Sequence, residues 1–168
     1  MNYFELFEIP VQLKVDKASL PRKYFELSRK YHPDFFINGI EEEKTEALEK
    51  SALLNKAFKT FQNPEETIKY VLQLKGLLKE EEKYELPPDF LMEVLEINEE
   101  LMEMGENKTL LPNLEIRIEQ LQEEIYEAVK EIMEHYQEGI TTEKGLLQVK
   151  EYYFKKKYID RIRKELSG

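Results

Sequence analysis

Apolar residues recur at alternating steps of four and three along most of this chain. Leu20, Tyr24, Leu27 and Tyr31 fall on one side of a predicted helix whose start can be capped by Asp16 or Ser19, with Pro21 tolerated in its first turn. The stretch from Glu41 to Phe61 repeats the spacing with Ala47, Ser51, Leu54, Phe58 and Phe61, and predicts a second helix. Between them, Pro33 cannot occupy a helix interior and biases His32 away from helical dihedrals. The first helix therefore ends at His32-Pro33-Asp34, and two antiparallel helices are expected, joined by a loop with an imidazole and a carboxylate at its tip. Phe35, Phe36 and Ile37 are expected to anchor that loop, with Asn38-Gly39 as its turn. As a bare tripeptide, His-Pro-Asp also reads as an ordinary helix stop.

On either side, the pattern extends to an all-α chain. Tyr3, Phe4, Leu6, Phe7 and Ile9 predict a short helix or turn closed by Pro10, too short to hold without docking on its neighbours. Glu65 to Leu78 predicts a helix with Ile68 and Leu72 inward and Gly76 near its end. Apolar content then vanishes in Lys79-Glu80-Glu81-Glu82-Lys83, and Leu86-Pro87-Pro88 stops regular structure. That places one domain at residues 1–78, a linker at 79–87 and a second domain at 88–168. The second domain shows three helical patterns: Asp89, as cap, to about Met104; Leu114 to Gln137; and about Glu143 to Leu166. Leu114, Ile118, Leu121, Ile125, Val129, Ile132 and Tyr136 form the inner face of the middle one, and Gly139 with Thr141-Thr142 makes the last turn. Short connections between three amphipathic helices predict an antiparallel three-helix bundle.

The helix from Asp89 is too apolar for one packed face. Phe90, Val94, Ile97 and Leu101 fall together, while Leu91, Met92, Leu95 and Met102 fall on an adjacent side, for a combined apolar arc of about 220°. Either this helix lies deep in its bundle, or its second side is an exposed strip suited to a partner. Tyr152, Tyr153, Phe154 and Tyr158 pose the same question in the last helix, since they cannot all point one way.

Charge and composition narrow the function. The 168 residues carry a net charge of −10, which disfavours nucleic acid as a partner. No leader-like or membrane-length apolar run is present, so a cytoplasmic protein is expected. There is no cysteine, and the only two histidines, His32 and His135, stand far apart, so no metal or other cofactor is expected. No phosphate-binding glycine loop or nucleophile elbow appears, and an enzyme is not expected. One region breaks the acidic trend. Arg22, Lys23, Arg29 and Lys30 share with Glu26 the polar face of the helix that ends at His32. That face reads either as solvated, with cations favoured near a helix C-terminus, or as a docking surface for an acidic partner.

Tyr3-Phe4-Glu5-Leu6-Phe7, Leu20, Tyr24, Leu27, Tyr31-His32-Pro33-Asp34, Leu54-Asn55, Ala57-Phe58 and Asn63-Pro64 together resemble a J-domain. Phe90-Leu91-Met92-Glu93, Leu95-Glu96 and Glu99-Glu100-Leu101 are similar to the first C-terminal helix of HscB, the J-type co-chaperone family of iron–sulfur cluster assembly. The resemblance spans essentially the whole chain. It implies that Arg22, Lys23, Arg29, Lys30, His32, Pro33 and Asp34 face a DnaK-type, HscA-like chaperone and stimulate its ATP hydrolysis. It also implies that Leu91, Met92, Leu95, Glu96, Glu99 and Phe154 hold the IscU-like scaffold protein and deliver it. Two positions depart from the J pattern: Phe35 stands where lysine is common, and Thr67 where arginine is usual. Two rival readings make the C-terminal bundle a binder of other clients or a dimerisation module, or make the whole chain a helical adaptor with no chaperone role.

Overall fold

The computed structural model describes residues 1–167. Among them the chain is helical without a strand, in the order α1 (Tyr3–Leu6), α2 (Leu20–Lys30), a 3-10 turn (Pro33–Phe36), α3 (Glu41–Gln62), α4 (Pro64–Leu74), α5 (Pro88–Met104), a second 3-10 turn (Lys108–Leu110), α6 (Leu111–Glu127), α7 (Lys130–His135) and α8 (Glu143–Ser167). Two compact units form: Met1–Leu74 together with Tyr136–Ile140, and Lys75–His135 together with the chain from Thr141 onward.

In the first unit, α1 is a single turn held by an exchange at its start. The Asn2 side chain accepts from the Glu5 N–H, and the Glu5 carboxylate accepts from the Asn2 N–H. Four residues cannot sustain a helix, so α1 depends on burial of Phe4 and Leu6, with Phe7 behind them. Phe4 and Phe7 pack on Phe61 of α3, at ring-centre distances of 4.9 and 5.3 Å. The α2–α3 hairpin closes over Leu20, Leu27, Ala47, Leu54 and Ala57, with Tyr24 stacked on Phe58 at 4.3 Å. Neither Asp16 nor Ser19 caps α2 as expected. Ser19 occupies the cap position, but its hydroxyl donates back to the Asp16 carbonyl, and the Asp16 carboxylate accepts from the Ala18 N–H. A further departure is α4, which stops at Leu74 rather than Leu78 because the chain turns at Gly76, where φ is +71°. Thr67 stands in for the usual arginine in a different way: fully buried, its hydroxyl lies 3.1 Å from the Thr60 carbonyl and 3.0 Å from that of Asn63, tying α4 to the end of α3.

The second unit is a three-helix bundle of α5, α6 and α8, with the short α7 packed on α6 and α8. Phe90, Val94, Ile97 and Met104 of α5 are buried against Leu114, Ile118, Leu121 and Ile125 of α6 and against Val149, Tyr153, Ile159 and Ile162 of α8. Burying each such side chain contributes about 1.5–3 kcal/mol, which makes this face the source of the unit's stability. The start of α5 is Pro88, following Pro87, so Asp89 lies inside the first turn and acts on the helix dipole rather than as the cap. The expected single helix from Leu114 to Gln137 is two. It breaks at Ala128-Val129, and the buried face shifts from the predicted Ile132 to Met133. The shift seats Ile132 over Gly145 of α8, where an added Cβ would lie only 3.3 Å from Ile132 Cδ1. The aromatic surplus of α8 divides: Tyr152 and Tyr153 are buried, Phe154 and Tyr158 half-buried.

Candidate functional site

Two sets of residues singled out in the sequence become two surfaces, one in each unit. At the hairpin tip, α2 ends at Lys30 and the chain re-enters a 3-10 turn in which His32 is the cap residue. His32 Nδ1 accepts from the Asp34 N–H at 3.2 Å, so the ring proton of the neutral imidazole sits on Nε2. Pro33 takes the first position of the turn, where no donor is needed and its fixed φ fits. The Asp34 carboxylate is 79% exposed and lies 3.5 Å from His32 Nδ1. No residue of the tip is buried. Phe36 is half-buried, but Phe35 and Ile37 are exposed, so the expected three-residue apolar anchor is only Phe36.

The cations of α2 do not act alike. The Lys23 ammonium lies 3.2 Å from Glu8 and 3.7 Å from Glu26, and the Lys30 ammonium lies 3.9 Å from the other Glu8 oxygen. Glu8 makes this bridge from a left-handed backbone, with φ of +58°, immediately after α1. Lys30 and Lys50 also sit over the Tyr31 ring, 5.5 and 5.3 Å from its centre. Arg22 and Arg29 are exposed and have no ion-pair partner among the described residues. Of the four cations, the two arginines are therefore free to meet a partner.

In the bundle, the second side of α5 points to water. Leu91 is 42% exposed, Met92 63% and Leu95 57%, while Phe90, Val94 and Ile97 on the same helix are at most 5% exposed. That contrast decides the question of the wide apolar arc: one side is core and the other is an open strip, extended by Met102. Glu96 and Glu99 are exposed beside it. Glu96 is held by Arg117 of α6 at 2.6 Å, and the same guanidinium reaches Glu100 at 2.5 Å. The hydrogen bond to Glu96, then the charge of Glu100, push the Arg117 pKa further up, so the clamp stays charged. Phe154 of α8 stacks flat on Tyr84, with ring centres 4.6 Å apart and planes 1° from parallel. The stretch carrying Tyr84 is fastened to α8 by Glu82, whose carboxylate lies 2.6 Å from Lys150 with both side chains mostly buried.

Sequence reasoning missed Glu8, Tyr84, Lys150 and Arg117. Only Arg117 carries a local signal, as the one basic residue in α6. The others act through contacts across the fold that no periodicity reveals.

A His-Pro-Asp hairpin and a three-helix bundle with an open apolar strip make this an all-helical protein with two exposed surfaces. Residues 86–167 match the family described as the HSCB C-terminal oligomerisation domain. The chain is 38% identical over 152 residues to the co-chaperone protein HscB homologue of Shewanella halifaxensis, covering 90% of this chain and 80% of that one. It is 36% identical over 107 residues to the homologue from Photobacterium profundum, spanning 63% of each chain. Among solved structures it is similar to human co-chaperone protein HscB, with a TM-score of 0.75 at 30% identity over 99% of this chain and 81% of that one. It is also similar to chaperone HscB from Vibrio cholerae, with a TM-score of 0.69 at 25% identity over 99% of this chain and 96% of the other. The chain belongs to the HscB co-chaperone family.

Proposed function

We propose that this protein stimulates ATP hydrolysis by a DnaK-type, HscA-like chaperone and delivers to it an IscU-like iron–sulfur scaffold protein. In this reading residues 1–78 act on the chaperone, residues 88–168 hold the scaffold, residues 79–87 join them, and the protein works in the cytoplasm. The observation that carries it is the exposure of Leu91, Met92 and Leu95 on a helix whose opposite side is core. A strip of this kind supplies the central apolar contact that binding energy concentrates on.

The chain's own contribution is contact. Asp34 offers an open carboxylate at a rigid turn, held there by the His32–Asp34 hydrogen bond and by Pro33. Arg22 and Arg29 attract an acidic chaperone surface and speed encounter. Binding chaperone and scaffold at once also raises the concentration of each near the other. The hydrolysis chemistry belongs to the chaperone.

The test is single-turnover ATP hydrolysis by an HscA-like chaperone, with this protein, with an IscU-like scaffold, and with both. Stimulation by the protein alone and a further increment with scaffold are expected. No stimulation would overturn the co-chaperone reading, and stimulation without the increment would overturn scaffold delivery. A second reading makes the strip a self-association face, favoured by the match to a domain described as an oligomerisation domain. Sedimentation across a concentration series decides it: a dimer lost on substitution of Leu91, Met92 and Leu95 supports that reading, and a monomer throughout rejects it.

A further inference from the structure

Beside the α5 strip lies a groove of about 580 Å³, entirely within the second unit. Its lining includes the stacked rings of Tyr84 and Phe154, with Leu86 and Leu91, and the Leu91 side chain belongs to groove and strip alike. Lys157 and Arg161, one turn apart on α8, also line it and are exposed. Neither has an ion-pair partner among the described residues; Lys157 lies over the Tyr153 ring at 5.3 Å and Arg161 over the Tyr158 ring at 5.6 Å. Two carboxylates share the lining. Glu82 is neutralised by Lys150, which leaves Glu85 against two cations. The groove is thus net cationic in a chain of net charge −10. Along α5, the strip is bordered instead by Glu99 and Glu103, with Glu96 paired to Arg117.

We infer that this groove is a second contact for the scaffold protein, taking an apolar side chain flanked by a carboxylate. The inference rests on the scaffold-docking reading of the α5 strip and extends it. An apolar centre with an acidic border on one side and a cationic pocket on the other fixes which way round a partner lies, since the reversed orientation sets like charges together. The scaffold segment entering the groove buries its apolar group against Leu91, Leu86 and the aromatic pair. Its carboxylate meets Lys157 and Arg161, close to aromatic faces that exclude water and so strengthen the pairing.

A charge series at the rim tests this. Lys157→Glu with Arg161→Glu, Lys157→Gln with Arg161→Gln, Glu85→Lys and the wild type are each titrated with an IscU-like scaffold at low and moderate salt, with melting curves as a fold control. The reversal is expected to weaken binding roughly tenfold or more at low salt, the neutral pair to weaken it less, and Glu85→Lys to tighten it. The salt dependence of affinity should fall in the reversal. Equal affinities across the series would overturn the groove, and so would tightening by the reversal. The Leu91→Ala, Met92→Ala, Leu95→Ala variant is titrated alongside. If that variant loses binding while the charge series changes nothing, the groove alone falls. If the triple variant binds as the wild type does, the docking reading beneath it falls too.

Discussion

The hairpin tip and the α5 strip are built on opposite principles. At the tip, a four-residue turn presents an imidazole and a carboxylate with none of its residues buried, held by a hydrogen bond between residues two apart. On α5, a 17-residue helix presents a surface without chemistry of its own, made rigid because its other side is the core of the bundle. On the proposed function, the tip acts through its functional groups, so its positions should tolerate no chemical exchange while contributing little to folding. The strip would act through its shape, while its neighbours on the same helix carry the stability. A loss of function with the fold intact is expected at both, for different reasons.

The sharpest break in the comparison is Asp34→Asn. It keeps the size of the side chain and removes the charge at a site 79% exposed, so stability should change by less than about 0.5 kcal/mol. Stimulation of the chaperone should disappear altogether. Full stimulation by a folded variant, measured in the single-turnover assay, would remove the tip from the mechanism.

Next in size is replacement of Leu91, Met92 and Leu95 by alanine. Each side chain at an interface contributes about 1–2 kcal/mol, so scaffold affinity should fall by roughly 10²- to 10⁴-fold while the melting temperature barely moves. Basal stimulation of the chaperone should survive. The contrast is made on the same helix by Phe90→Ala, which empties a core site and should cost about 3–5 kcal/mol of stability. Similar melting temperatures for the two variants would mean that α5 has no outer side in solution.

Much of this division is legible in the sequence, because helical spacing separates the two sides of α5 before any coordinates exist. Spacing cannot decide whether the surplus side is open, since that depends on how α6 and α8 approach. It also misses breaks that leave apolar content unchanged: α6 and α7 read as one helix because Val129 continues the pattern through the bend. At the tip, the stop at Pro33 is readable from proline's geometry, whereas the exposure of Phe35 and Ile37 is not, as apolar residues in a loop carry no direction. The pairing of Lys23 and Lys30 with Glu8 depends on the fold of α1 against α2, so the four cations look equivalent until folded.

That inequality gives a smaller effect to measure. Arg22→Glu with Arg29→Glu should slow association with the chaperone about tenfold at low salt and remove much of its salt dependence. Lys23→Gln should do less, since its ammonium is already shared with Glu8 and Glu26. Stopped-flow association across a salt series checks both. An equal effect from the lysine would mean that Glu8 does not withdraw it from the docking face.

The smallest effect concerns the fastening of Tyr84 beneath Phe154. The hydrogen bond from Lys150, before the weaker contributions of Lys79, holds the Glu82 carboxyl below its ordinary value of 4.5. A carboxyl whose folded-state pKa lies below its unfolded one adds stability at pH values above the unfolded pKa. That stability is lost as pH falls through the folded one. Glu82→Gln removes this contribution and keeps the side chain's size, so at neutral pH it should melt roughly 1–3 °C below the wild type. The gap should close as both proteins are taken well below pH 4.5, where Glu82 is protonated and resembles glutamine. The Tyr84–Phe154 stack also links the fastening to scaffold binding, because both rings line the groove. Glu82→Gln should therefore weaken scaffold affinity severalfold at neutral pH, far less than the α5 triple variant. A melting gap that persists unchanged into acid would show that the Glu82–Lys150 pair does not hold this stretch to α8, and the groove would lose the wall that Tyr84 provides.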